Sequence, residues 1–182
     1  MPEQTMDEIL SAIGDAHLIA FEEIAREAHR KYRGYDAAIL IELDVRAQAA
    51  CTYAHMQAGA DRRFLDQPGI RLFDIRGLKL WHFETANVVV RLKKMDEDGR
   101  SRSYPTKQAK DFDNQLELPG LPAAPVRLTA GYLLDRTGTQ IERAQIARPI
   151  GKRTEWCAAI LPADQRTAGE RVWEDVTRQA RF

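Results

Sequence analysis

LKLWHFETANVVVRLKKMDEDG, residues 78–99, decides the fold class. Its two apolar runs, LKLWHFE and NVVVRLKKM, are rich in β-branched and aromatic residues, which suit a pleated, half-buried surface. Asp96-Glu97-Asp98-Gly99 has the composition of a turn. The RSRSY that follows can pair back on the second run as a hairpin partner. The stretch therefore predicts antiparallel strands, and it begins shortly after Pro68-Gly69, where the chain changes character.

Downstream, Pro105 opens a short helical stretch, TKQAKDFDNQL, and a Pro/Gly-rich connection runs from Leu118 to Pro125. Three further strand candidates follow: VRLTAGYLLD, TQIERAQIA and KRTEWCAAIL. Arg136-Thr137-Gly138 and Pro149-Ile150-Gly151 supply their turns. Thr167 to Arg181 reads as a terminal helix.

Upstream, Thr5-Met6-Asp7-Glu8 matches a capping box, in which the Thr and Glu side chains satisfy free N–H groups of a first turn. Ile9, Ile13, His17, Phe21 and Ile24 then recur at three- and four-residue spacing, so one helix should run to about Tyr32 and end near Gly34. From Asp36 to about Phe64 the Ala-rich composition favours a second helix. The alternation of Ile39, Ile41, Leu43 and Val45 leaves a strand followed by a helix as the other reading. Helices, then antiparallel strands, then a helix argue an α+β fold. The expectation is a curved antiparallel sheet with N-terminal helices and a C-terminal helix packed on it. Residues 1–182 form one domain: helical over 1–66, mainly β over 70–160, with the C-terminal helix at 165–181.

The 182 residues include 27 Lys and Arg against 27 Asp and Glu, so net charge supplies no general attraction for nucleic acid. The N-terminus has neither the basic nor the apolar region of a secretory signal, and no apolar run approaches membrane-spanning length. With only Cys51 and Cys157 there is no disulfide framework. A cytoplasmic protein with no membrane partner is expected.

Catalytic motifs are absent from the sequence. Only Ser11, Ser101 and Ser103 occur, none in a nucleophile elbow, and neither glycine-rich phosphate-binding pattern is present. Cys51 and His55 share a helix face at four-residue spacing but are only two ligands, short of a zinc site. His82, between Trp81 and Phe83, reads as structural. No carboxylate stands two residues before a lysine in the pattern of a metal-dependent nuclease. No metal, no cofactor and no catalytic residue is assigned, and an interaction role is preferred to an enzymatic one. The nucleic-acid alternative rests on Arg91, Lys93, Lys94, Arg100, Arg102 and Lys107, six cations dense enough for phosphate contacts. Glu84, Arg91 and Lys93 would be the corresponding set for a metal-independent ribonuclease.

Gln115-Leu116-Glu117-Leu118-Pro119-Gly120-Leu121 resembles the short peptide by which many bacterial replication and repair proteins bind the DNA sliding clamp. The resemblance covers these seven residues alone. It implies that Gln115 enters a polar subsite while Leu116, Leu118 and Leu121 are apolar anchors, docked in extended form. Gly120 departs from the pattern by separating Pro119 from the last hydrophobe. The leading expectation is therefore a small bacterial clamp-binding protein, acting as an inhibitor or toxin of DNA replication and held in check by a neutralising protein. The third reading is a structural homo-oligomer.

Overall fold

A computed structural model describes residues 4–101 and 106–178. Four helices precede the sheet: α1 (Met6–Ile13), α2 (Asp15–Arg33), α3 (Ala37–Glu42) and α4 (Val45–Phe64). The strands are β1 (Ile70–Ile75), β2 (Leu78–Phe83), β3 (Val88–Lys94), β4 (Val126–Leu134), β5 (Ile141–Ile150), β6 (Arg153–Ile160) and β7 (Trp173–Asp175), with α5 (Lys107–Asp113) between β3 and β4. They form one open sheet in chain order. The fold is α+β, as the sequence predicts.

The capping box forms as read, with Thr5 and Glu8 bonding reciprocally. The single helix predicted over 6–32 is instead broken at Gly14, whose φ of +88° lies in the left-handed region. That turn lets Ile9, Leu10 and Ile13 of α1 join Leu18, Phe21 and Ile24 of α2 in one core. The 36–64 segment is helical, and the strand alternative is overturned. Asp36 caps α3 by accepting from the Ala38 N–H at 2.8 Å, and Asp44 caps α4 by accepting from the Ala47 N–H at 2.8 Å. Two caps eight residues apart give two helices with an elbow at Leu43.

One sheet face packs under α2 and α4. Trp81, Phe83, Val90, Leu92, Leu128, Tyr132, Ile146 and Trp156 alternate inward there, meeting Phe21, Met56 and Phe64. The opposite face carries α5, where Leu80, Val89, Phe112 and Leu118 form a second cluster.

Three sheet features depart from expectation. Ile70–Ile75, not predicted as a strand, pairs along its whole length with β2. The β3–β4 pair is parallel, so the sheet is not wholly antiparallel. Lys93 and Gly131 are partners there, and a Cβ on Gly131 would lie 1.7 Å from the Lys93 carbonyl oxygen. The C-terminal helix does not form over 167–178. A short 3-10 turn at Ala163–Gln165 leads instead to β7, whose Trp173 pairs with Ile160. Val172 and Trp173 are buried, and that burial with edge pairing outweighs the helix propensity of their exposed neighbours. Residues 179–181 of that prediction lie outside the described residues. The predicted hairpin reduces to one bridge, Met95 with Ser101, its Arg102–Tyr104 part also lying outside them.

Gly131→Ala should lose at least about 3 kcal/mol in urea unfolding, because β3 and β4 must separate to admit the methyl group. His29 gives a pH dependence. It is buried beside Tyr32 and Tyr132 with no partner for Nε2, and burial, reinforced by Arg33 and opposed by Asp135, holds its pKa below the ordinary 6.5. The unfolded chain therefore binds a proton more readily than the folded one. Stability should fall as pH drops below 6.5, and His29→Gln should flatten that decline in thermal melts between pH 7 and 5.

Candidate functional site

The segment singled out by sequence lies on the α5 face. Gln115 follows α5 with a φ of +55°, and its side chain turns into the domain. Its amide nitrogen donates to the carbonyls of Arg127 at 3.0 Å and Pro149 at 2.8 Å, while its amide oxygen accepts from the Arg127 N–H at 3.0 Å. One side chain thus fastens the crossover to the start of β4 and the end of β5. Leu118 is 5% exposed within the second cluster, and Leu121 packs against that cluster. Of the four expected clamp contacts, only Leu116 stands in solvent, at 51% exposure. As folded, the segment is a packing element and does not present Gln115 and Leu118 outward. The peptide reading needs these side chains exposed, and here three polar bonds and an apolar pocket hold them.

The cationic set is dispersed. Arg91 is 2% exposed: its Nε donates to Thr129 Oγ1 at 2.9 Å, its Nη2 meets Asp113 at 2.5 Å, and its guanidinium lies 4.4 Å from the Phe112 ring centre. Burial depresses the Arg91 pKa and raises that of Asp113, the pair opposing both effects. Lys93 is half-buried over Tyr53, and burial, with Arg91 beside it, lowers its pKa. Lys94 is half-buried, Arg100 and Lys107 are exposed, and Arg102 lies outside the described residues. Of the five described, only Arg100 and Lys107 are fully exposed. The ribonuclease set is equally scattered, since Glu84 pairs with Arg71 at the other end of β3 from Lys93, about 17 Å away at strand rise.

The acidic turn lies down on the sheet. Gln145, fully buried, donates to the Asp96 carbonyl at 2.8 Å, and Arg143 donates to the Glu97 carbonyl at 3.0 Å. A Cβ on Gly99 would come within 2.9 Å of Cys157 Sγ. Cys157 is buried there, and burial pushes its pKa up to about 12, so it remains a thiol. Cys51 and His55 sit one turn apart on α4, with His55 Nε2 bonded to the Tyr35 hydroxyl at 2.8 Å. Among the described residues no group of three or more His, Cys, Asp or Glu side chains could hold a metal ion. A groove between α2 and β5–β6 is lined by charged side chains, some of them in ion pairs, Arg63 with Glu23 and Arg26 with Glu22 among them.

The surface that sequence reasoning missed is the outer side of α3 and α4. None of the six residues of α3 is buried. Ile39, Ile41 and Val45 are 49%, 85% and 66% exposed, and Leu65 just past α4 is 54% exposed. Between them Ala50, Ala54 and Ala58 form the solvent side of α4. The run Ala47–Ala60 holds no Asp, Glu, Lys or Arg, in a chain in which 30% of residues are charged. That gap in charge was the available signal. No protein-family model matches the chain, and no curated protein and no solved structure is significantly similar to it.

Gln115→Ala should therefore act on stability. Leaving buried backbone groups of Arg127 and Pro149 unpaired should cost about 2–3 kcal/mol in chemical denaturation. Purified sliding clamp titrated with the folded protein should give no saturable binding, because docking requires the same side chains that hold β4 and β5.

Proposed function

We propose that the protein is a binding protein whose working surface is the outer side of α3 and α4, and that it acts by contact with another protein molecule. The observation that carries this is α3 itself. An isolated helix shorter than about 12 residues is marginal in water. α3 has six residues, none of them buried; Ile39 and Ile41 are exposed and only Leu40 is half-buried. Ile39, Ile41 and Val45 together leave the equivalent of about two whole aliphatic side chains in solvent. Covering each such side chain is worth about 1.5–3 kcal/mol. A partner placed there would gain that term and hold the helix as well.

This keeps the class expected from sequence, an interaction protein, and moves the contact from Gln115–Leu121 to the elbow. Binding of a sliding clamp through that segment requires release of the Gln115 clasp and of Leu118 first. A role in blocking replication and a neutralising partner then depend on that release. The nucleic-acid alternative retains only Arg100, Lys107 and half-buried lysines as accessible cations among the described residues.

A photo-crosslinking amino acid at position 41 in cells, with the same group at Arg136 in the exposed β4–β5 turn as the control, tests the surface. A discrete adduct at 41 and none at 136 is the expected result. No adduct at either position, at native expression, would remove the elbow as a working surface.

A further inference from the structure

We infer that the groove between the acidic turn and the β5–β6 turn binds single-stranded nucleic acid, which it holds through phosphates. This goes beyond the reading of the α3–α4 surface and stands on other residues. The groove measures 1210 Å³ and reaches down to the buried Cys157 of β6. Its walls are the end of the acidic turn, the β5–β6 turn and the residues just after β7.

Each wall is fixed to the domain through its backbone. The Arg100 N–H donates to Asp96 Oδ1 at 2.9 Å, and its carbonyl accepts from the Asp96 N–H at 2.9 Å. Gln145 in turn holds Asp96 on the sheet. The Gly151 N–H donates to the Asp113 carbonyl at 2.7 Å, so the end of α5 holds the turn that carries Lys152 and Arg153. The Val176 N–H donates to the Cys157 carbonyl at 2.9 Å, two residues before Arg178. Cations from three separate segments of the chain therefore line one space on a fixed backbone.

The carboxylates around that space are mostly engaged. Glu155 pairs with Arg148 at 3.0 Å and Glu97 with Arg178 at 2.5 Å. Asp113, which feels the charge of Arg100, is bound by Arg91. Arg100, Lys152 and Arg153 are exposed and make no ion pair with a described residue. Only Asp98, among the lining residues, stands against these three. The chain has zero net charge, so this excess is local, and it is the local potential that attracts an anion.

Two further features select the anion. The space exceeds the roughly 300–1,000 Å³ of an enclosed small-molecule pocket, which favours a chain over a compact ligand. Ile150, 39% exposed, also lines it beside the cations. A plain polyphosphate leaves Ile150 bare, whereas a nucleotide chain offers it a base between phosphates. In a duplex those base faces are stacked inside, so an unpaired strand is the form that fits. No aromatic ring lines the groove among the described residues, so phosphate contacts rather than stacking set the affinity.

The test is a fluorescence anisotropy titration of the full chain into a labelled oligothymidylate of about 12 nucleotides at about 50 mM salt. Saturable binding in the micromolar range is expected. Each phosphate contact on a single strand contributes about −0.7 to the log–log salt slope, so the slope should be about −2 to −3. Lys152→Glu with Arg153→Glu should weaken binding at least tenfold, and Arg100→Glu on the opposite wall should do so independently. All three positions are exposed, and unchanged thermal melts should confirm that the variants fold. Asp98→Asn should tighten binding, and Arg136→Glu in the β4–β5 turn should leave it unchanged. The site is overturned if the parent does not bind, if the folded charge reversals bind as the parent does, or if Arg136→Glu weakens binding equally. Displacement of the label by a duplex or by inorganic polyphosphate as effectively as by the unlabelled single strand overturns the occupant.

Discussion

The parallel pairing of β3 with β4 is the constraint on which the remainder of the structure depends. It joins an antiparallel unit, β1 to β3, to a second one, β4 to β7, and Gly131 is the point at which the two backbones come closest. Parallel neighbours cannot be joined by a tight turn, because the chain must travel back the length of the strand. α2 and α4 already occupy one face, so the return crosses the other. Its first part is held by Gln145 and Arg143, its middle by Phe112 and Arg91, and its last part by Gln115 and Leu118. The acidic turn, the short helix and the leucine-rich segment are three sections of one crossover.

That crossover also explains where the sequence was legible and where it was not. Strands with local signatures, such as Leu78–Phe83 and Val88–Lys94, are apparent from composition, and so is the Thr5 capping box. Parallel pairing has no local signature: nothing in NVVVRLKKM distinguishes a strand paired with its next neighbour in sequence from one paired across a thirty-residue return. Ile70–Ile75 was hidden for a different reason, since its edge position leaves Arg71 and Asp74 exposed and dilutes its apolar pattern. Trp173 was read as part of a helix because its neighbours are polar. The two buried residues that decide its fate, Val172 and Trp173, are too few to set a period. At the elbow the alternation of Ile39, Ile41, Leu43 and Val45 mimicked a strand, and the Asp36 and Asp44 caps were the stronger signal.

The peptide resemblance and the packing of this segment have one physical basis. A segment that binds a pocket in extended form and a segment that crosses the back of a sheet need the same composition. Both need alternating leucines for apolar contacts, prolines that remove donors, and a terminal amide that can bond in two directions. Sequence cannot tell whether the pocket belongs to another protein or to the chain itself. Arg91 illustrates the same limit. Counted with its neighbours it looks like one sixth of a phosphate site, yet it stands on the side of β3 that α5 covers, and a buried arginine needs the carboxylate, hydroxyl and ring that Asp113, Thr129 and Phe112 supply.

These buried charges bear on how the exposed apolar residues should be read. The domain buries Glu22 and gives it both Arg26 and Arg166, and it buries Gln145 and satisfies both ends of its amide. A fold that accommodates such costly groups has no general shortage of interior. Phe21, Phe64, Trp81 and Phe83 fill that interior in edge-to-face contacts. Large side chains left in water are accordingly a local property. Of the six large hydrophobic residues that are exposed among the described residues, Ile39, Ile41, Val45 and Leu65 belong to the α3–α4 side. Chance scatter over the surface would not concentrate them at the two ends of one uncharged helix face. The α5 face is closed by its own crossover, whereas Ala50, Ala54 and Ala58 on the outer side of α4 are exposed among the described residues. That difference is the reason the second surface is the one proposed for a partner.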